Sequence, residues 1–313
     1  MDASLLDRSI PASADLTRWM PAVRNQLTES DCTCFALCAV VEAERAIHGL
    51  PQVTLSPAAL FYEARKSQNE QNQDVGLFMT VVLDTAQSFG IPPEADDPYV
   101  DGQYATPPDA QAMADAPKYA IKSWQDLTPY QPSDAILSGS VPNAPLVNAF
   151  RKALSEGHPV CANVCAVPLD NAGPGGSVTI PADVDQLVDH EVAFCAYDDA
   201  TQTFRIENSW GTGVGDGGFF LVPYDYVANL HLCNDGYTVS VVDAAPPTPK
   251  EVVPVPDSRV SAVPVVDPNG NEIVIAYDCN GETIAPVRDI VNACGGTVTW
   301  DAAKGRVIVG PKS

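Results

Sequence analysis

The sequence predicts an α+β protein: a helical first part, a strand-rich second part, and a short third segment behind a proline-rich linker. Three observations carry this expectation. Apolar residues recur at helical spacing between Cys32 and Ser88, with caps and glycine stops in place. Short runs rich in β-branched and aromatic residues follow from about 159 to 243. The stretch AAPPTPKEVVPVPD then breaks both patterns with semi-rigid, extended character. Helices first and strands later suggest two packed lobes, whose join is a natural place for a cleft.

The elements follow in order. After an extended opening segment, Cys32 to His48 is apolar on nearly all faces at first and then carries Glu42, Glu44 and Arg45. That is the pattern of a buried helix surfacing at its end, with Gly49 as the stop. Pro57 to Lys66 reads as a second helix, with Ser56 as N-cap and proline in the first turn. A third, near Leu77 to Ser88, ends at Gly90 before Pro92 and Pro93. Strands are expected at Val160–Val167, Glu191–Tyr197, Thr203–Glu207, Gly218–Val222 and Thr238–Val242. The linker occupies 244–258, and the tail at 259–313 is rich in β-formers with one helical pattern near Val287 to Ala293.

Composition narrows the function classes. The 313 residues include 17 basic and 40 acidic ones, a formal charge of −23. That field repels nucleic acid and anionic membrane, and the acidic residues are spread as on an ordinary solvated surface. No apolar run reaches bilayer-spanning length, so membrane insertion is not expected. MDASLLDRSIPASADL lacks the basic start and apolar core of a secretory signal. Location stays open among the cell interior, an extracellular or cell-surface site, and a virion. Nine cysteines leave at least one unpaired within a monomer, and their clustering does not resemble a disulfide framework.

The stretch QLTESDCTCFALC holds three of those cysteines within seven residues. On a helix Cys34 and Cys38 share a face, while Cys32 points about 200° away from Cys34. They cannot converge on one metal ion, and the C-x-x-C redox spacing is absent. Cys34 and Cys38 read as small buried core residues. Cys32 falls in the first turn, with Ser30 or Asp31 as cap, where the helix N-terminus favours thiolate. A base for it must come from His48, His158, His190 or His231. His190, in LVDHEVAFCAYDD, stands at the start of an apolar strand, from which an imidazole can face a cleft. Spacing alone does not select it.

Further motifs do. Gln26 lies six residues before Cys32, and Phe35-Ala36 follow the cysteine. Asp189-His190 opens a strand, and Asn208-Ser209-Trp210-Gly211-Thr212-Gly213 closes a later one. In this order and wording the chain resembles the papain-like cysteine peptidases, especially their bacterial and viral branch, over roughly residues 10 to 230. The resemblance implies the papain-like two-lobe fold, a helical left lobe and an antiparallel β right lobe, for residues 1–243. It implies Cys32 as nucleophile, His190 as base, Asn208 holding the imidazole under Trp210, and Gln26 in the oxyanion hole. It also implies Gly76, Asn163, Val188, Asp189 and Glu191 as substrate-binding residues. Asn163, Val188 and Glu191 would line an acidic, partly polar specificity pocket. A peptide or protein substrate and no cofactor are expected.

Three departures stand out. Leu27-Thr28-Glu29-Ser30-Asp31 replaces the family's Gly-Ser-Cys-Gly-Ser, which removes the disulfide partner at the position of Glu29. Glu29 and Asp31 are expected to place negative charge beside the thiol and oppose its ionisation, whereas Glu191 is expected to favour imidazolium. Thr33 stands where tryptophan commonly follows the nucleophile.

In the tail, Pro286-Val287-Arg288, Gly295-Gly296 and Val298-Thr299-Trp300-Asp301 resemble the copper amine oxidase N-terminal-like module, a small α+β unit. With Cys279 and Cys294 as its only cysteines and no histidine, it is not expected to bind metal. Docking to a surface or assembly and capping of the main domain both remain open. Two readings of the whole follow: an active cysteine endopeptidase, or a catalytically inert papain-fold component of a cell-surface or virion assembly.

Overall fold

A computed structural model describes residues 2–128, 143–180 and 188–242, together with the backbone of five strands between 260 and 310. The chain divides into two compact units, Met1–Pro246 and Pro247–Ser313. The linker at 244–258 and the helical pattern near 287–293 lie outside the described residues.

In the first unit, α1 (Cys32–Ile47) is the axial element, and twelve of its residues are buried. Its apolar start lets it contact the other helices on one side and the sheet on the other, and His48 caps it before Gly49 turns at φ +66°. Helix α2 (Pro57–Ser67) begins where Ser56 Oγ accepts the Ala59 N–H at 3.1 Å. Helix α3 (Met79–Ser88) stops at Gly90, whose φ of +91° and near-contact with the Ala116 carbonyl leave no room for a Cβ. Two further helices, α4 (Ala110–Asp115) and α5 (Ala144–Ser155), come between the lobes in sequence.

The sheet of this unit contains β1 (Ser13–Asp15), β2 (Ser123–Asp126), β3 (Val160–Val164), β4 (His190–Asp198), β5 (Thr203–Glu207), β6 (Phe219–Pro223) and β7 (Tyr237–Ser240). Their order is β2-β7-β3-β4-β5-β6, with β1 also on β4, and every pairing is antiparallel. Strand β4 is buried along eight of its nine residues, because one face meets α1 and the other the core of its own lobe. The opening segment is strapped to this lobe: Tyr197 donates its hydroxyl to the Pro11 carbonyl at 2.6 Å, and buried Arg151 joins Asp199 at 2.6 Å and the Asp7 carbonyl.

Two cores result. One gathers α5 with the inner face of the β lobe around Phe150, Phe194, Phe204 and Tyr224. The other gathers α1, α2 and α3 with Cys161, Ala193, Tyr237 and Val239 from the sheet. The second core spans both lobes, so α1 and β4 are held face to face by burial. The papain-like arrangement expected from the sequence is therefore the observed one, a mixed α+β fold with helices packed on an antiparallel sheet.

The second unit contains β8 (Val260–Val266), β9 (Glu272–Cys279), β10 (Glu282–Ile284), β11 (Thr297–Asp301) and β12 (Arg306–Gly310). They form a sheet in the order β10-β9-β8-β12-β11, antiparallel except for β8 with β12.

Candidate active site

Cys32 is the first residue of α1 and is half-buried, with Asp31 as its N-cap. The Asp31 side chain makes no capping bond; its carbonyl instead accepts the Cys34 and Phe35 N–H groups at 2.9 and 3.2 Å. Cys32 lies within electrostatic reach of Glu191, the residue after His190. His190 opens β4 opposite Val164 and is 6 % exposed. Its Nε2 lies 2.8 Å from Asn208 Oδ1, and its ring stacks on Trp210 at 5.0 Å and 26°. Trp210 thereby screens the His–Asn bond from water.

Gln26 joins this group from the opposite lobe. Its Oε1 accepts the Ser209 hydroxyl at 2.6 Å, and its N–H bonds the Ser209 carbonyl at 2.8 Å. Its Nε2 donates to the Glu29 carbonyl at 3.0 Å, which engages one amide proton and leaves the second for another acceptor. Ser209 itself donates its N–H to Asn208 Oδ1 at 2.7 Å. One turn thus orients both the histidine's partner and the glutamine. Sequence reasoning misses this role of Ser209, and its place in the Asn-Ser-Trp motif is the available signal.

Burial dominates the electrostatics. It pushes the Cys32 thiol up to about 12, with the Glu191 carboxyl adding to the shift, and it pushes the His190 imidazole down against the Asn208 hydrogen bond. Glu191 departs from its expected role. The carboxyls that favour imidazolium are Asp189 and Asp170, while Glu191 acts on Cys32. Neighbouring residues on a strand point to opposite faces, which separates Glu191 from the imidazole beside it. Glu191 is also only 2 % exposed, and burial with Asp235 nearby holds its carboxyl well above the usual range. The acidic loop acts in the expected direction, since Asp31 raises the Cys32 thiol, but burial delays its charge. Asp31 is fully buried, and burial with Glu29 nearby pushes its carboxyl up to about 8, so it is neutral at mildly acidic pH.

The other expected residues are placed as follows. Cys34 and Cys38 are fully buried in the core, and no group of three metal-ligating side chains occurs among the described residues. Gly76 is exposed; a Cβ there would meet nothing, and its φ is not in the left-handed region. Asn163 pairs with Glu191 across β3 and β4 and donates its N–H to Asp235 Oδ1 at 2.7 Å. Val188 is half-buried, and Asp189 is exposed, accepting the Ala166 N–H at 3.1 Å. Asp235 carries no sequence signal, because it sits in an irregular loop far from Asn163 along the chain. Of the other histidines, His158 and His48 both face buried Glu44, at 2.7 and 3.3 Å, and His231 is exposed. Cys195 lies five residues along β4 from His190, at a register shift, where its thiol faces Thr17 Oγ1 and the Arg205 carbonyl.

A two-lobed α+β frame with a cysteine at a helix start, a shielded His–Asn pair and a glutamine latched beside it defines a thiol hydrolase. The chain belongs to the papain family of cysteine proteases, whose family model matches residues 10–239. It is 24% identical over 223 residues to an uncharacterized peptidase C1-like protein of Acanthamoeba polyphaga mimivirus, covering 70% of this chain and 69% of that one. Among solved structures it is similar to xylellain, a cysteine protease from Xylella fastidiosa, at 26% identity and a TM-score of 0.64, over 76% of this chain and 90% of that one. A Carica candamarcensis cysteine protease solved with E-64 shares the fold at 22% identity and a TM-score of 0.53, over 74% and 99% of the two chains.

Proposed function

We propose that this chain is a cysteine endopeptidase working through Cys32, His190 and Asn208, with Gln26 and the Cys32 N–H as oxyanion donors. The observation that carries the reading is the shielded 2.8 Å contact between His190 and Asn208, with Cys32 at the start of α1 within electrostatic reach of Glu191. Alone, each of Cys32 and His190 is neutral. Transfer of the thiol proton to the imidazole creates both charges at once, and each offsets the other's burial. The thiolate sulfur then bonds to the peptide carbonyl carbon, whose π electrons move to oxygen. As the carbonyl re-forms, the C–N bond breaks and His190 gives its proton to the leaving amine. Water, deprotonated by His190, attacks the thioester and releases the acid and the thiol.

Labelling tests this reading. Iodoacetamide or an epoxide such as E-64 at mildly acidic pH is expected to modify Cys32 rapidly and selectively. His190→Ala is expected to abolish that selectivity, and Gln26→Ala to lower kcat by about a hundredfold or more. Labelling of Cys32 no faster than a free thiol would sink the proposal.

Specificity rests on the floor beside Cys32, where Glu191, Asp235 and Asn163 adjoin one another. Basic or polar side chains at the second residue before the scissile bond suit this floor. A cleavage profile restricted to Phe or Leu there would exclude the assignment. One observation favours the inert alternative: Cys32 lies among carboxyl groups and its thiol is pushed up. The same labelling decides between the two.

A further inference from the structure

The loop between Gln26 and Cys32 has neither helix nor strand, yet it carries proposed catalytic groups at both ends. It is not self-supporting. Leu27 sits at φ +55° with its side chain 56% exposed, a conformation that non-glycine residues hold only when the surroundings impose it. The supports come from two neighbouring loops. Asp101 Oδ1 accepts both the Thr28 N–H at 3.1 Å and the Thr28 hydroxyl at 2.8 Å. Asp74 Oδ1 accepts the Ser30 N–H at 2.9 Å.

The two supporting loops are irregular too, and one side chain ties them together. Arg65, wholly buried on α2, donates to the carbonyls of Gln71 and Gln73 in the first loop and of Tyr104 in the second. Its guanidinium lies over the Phe61 ring at 3.7 Å, within electrostatic reach of Asp74, Glu29 and Asp31. The planar fork of arginine suits this task, since its donors reach several acceptors from one rigid plane. The chain of bonds closes on itself: residues 28–30, then 101–104, then Arg65, then 71–74, and back to Ser30. All seven cysteines among the described residues are free thiols, so none of them braces this loop through a disulfide.

We propose that Asp74 and Asp101 are positioning residues for Cys32, clamping the backbone of the 27–31 loop against two loops that Arg65 holds together. The proposal rests on Cys32 being the nucleophile. Both aspartates are exposed, so replacing them leaves the core intact. In the full chain, Asp74→Ala combined with Asp101→Ala is expected to slow E-64 labelling of Cys32 at least tenfold without lowering Tm. Asp74→Asn combined with Asp101→Asn keeps an acceptor oxygen at each site and is expected to restore the rate to within about threefold. Hydrogen exchange at the Thr28 and Ser30 amides should be slow in the wild type and the asparagine pair, and fast in the alanine pair. An alanine pair labelled as fast as wild type overturns the clamp, as does an asparagine pair as slow as the alanine pair. Should the alanine pair not fold, Asp74→Ala alone is read by the same comparison. Wild-type labelling no faster than a free thiol overturns the catalytic reading and the clamp's catalytic role together, while amide exchange still reports whether the clamp exists.

Discussion

Asp31 shows how much a residue's role depends on its surroundings. Beside Cys32 in sequence it suggests a charge that opposes the thiolate. Full burial delays this, because the carboxyl stays protonated until about pH 8. Its charge therefore appears only on the alkaline side, where it raises the Cys32 thiol further by like-charge repulsion. The ratio of iodoacetamide labelling rates, Asp31→Asn over wild type, is expected to stay near one below pH 6 and to rise through pH 8. A ratio that is flat with pH, or highest in acid, contradicts this account. The residues of the His–Asn–Gln group are legible in sequence because their motif is local. Ser209 as the bridge, Asp170 as a charge on His190, and Asp235 beside Asn163 are not, because each acts across a turn or a lobe.

At the scale of elements, legibility follows local signals. The helix starting at Ser56 and the one stopping at Gly90 appear as expected, because a cap and a glycine are short-range chemistry. Gly90→Ala must force a Cβ against the Ala116 carbonyl at positive φ. Its cost is expected to be at least about 2 kcal/mol, seen as a Tm lowered by roughly 5 °C or more. An unchanged Tm contradicts so tight a turn. Sequence reasoning misses the helix at 144–155, although Leu146, Val147, Phe150 and Leu154 share one helical face and are buried. Strands β1 and β2 are different. Ser13–Asp15 and Ser123–Asp126 have no apolar alternation to read, and they are strands only because β4 and β7 offer them edges.

Over the whole molecule, buried acids set a pH preference. Burial raises Asp31 and Glu207 to about 8 and Glu42 to about 7, against ordinary values near 4. Between those limits the folded state holds protons that the unfolded state has released, so stability falls as pH rises, by about 1.4 kcal/mol per group and unit. His158, raised by its bond to Glu44, acts in the same direction: its contribution is full below the ordinary histidine value and lost as pH climbs through the folded one. Tm is therefore expected to be higher at pH 5.5 than at pH 8.5 by about 5 °C or more, and the reverse order excludes this origin. The sequence by itself determined the family, the two-lobed plan and which cysteine, histidine, asparagine and glutamine to examine, because these reside in contiguous motifs and periodic apolar patterns. Only the tertiary structure decided that Asp31 stays protonated until about pH 8, that Glu191 acts on the Cys32 thiol and not on the imidazole, and that Asp74 and Asp101 bond the 28–30 backbone beside loops joined by Arg65. Charge state and support depend on burial and on partners far along the chain, and neither exists until the chain has folded.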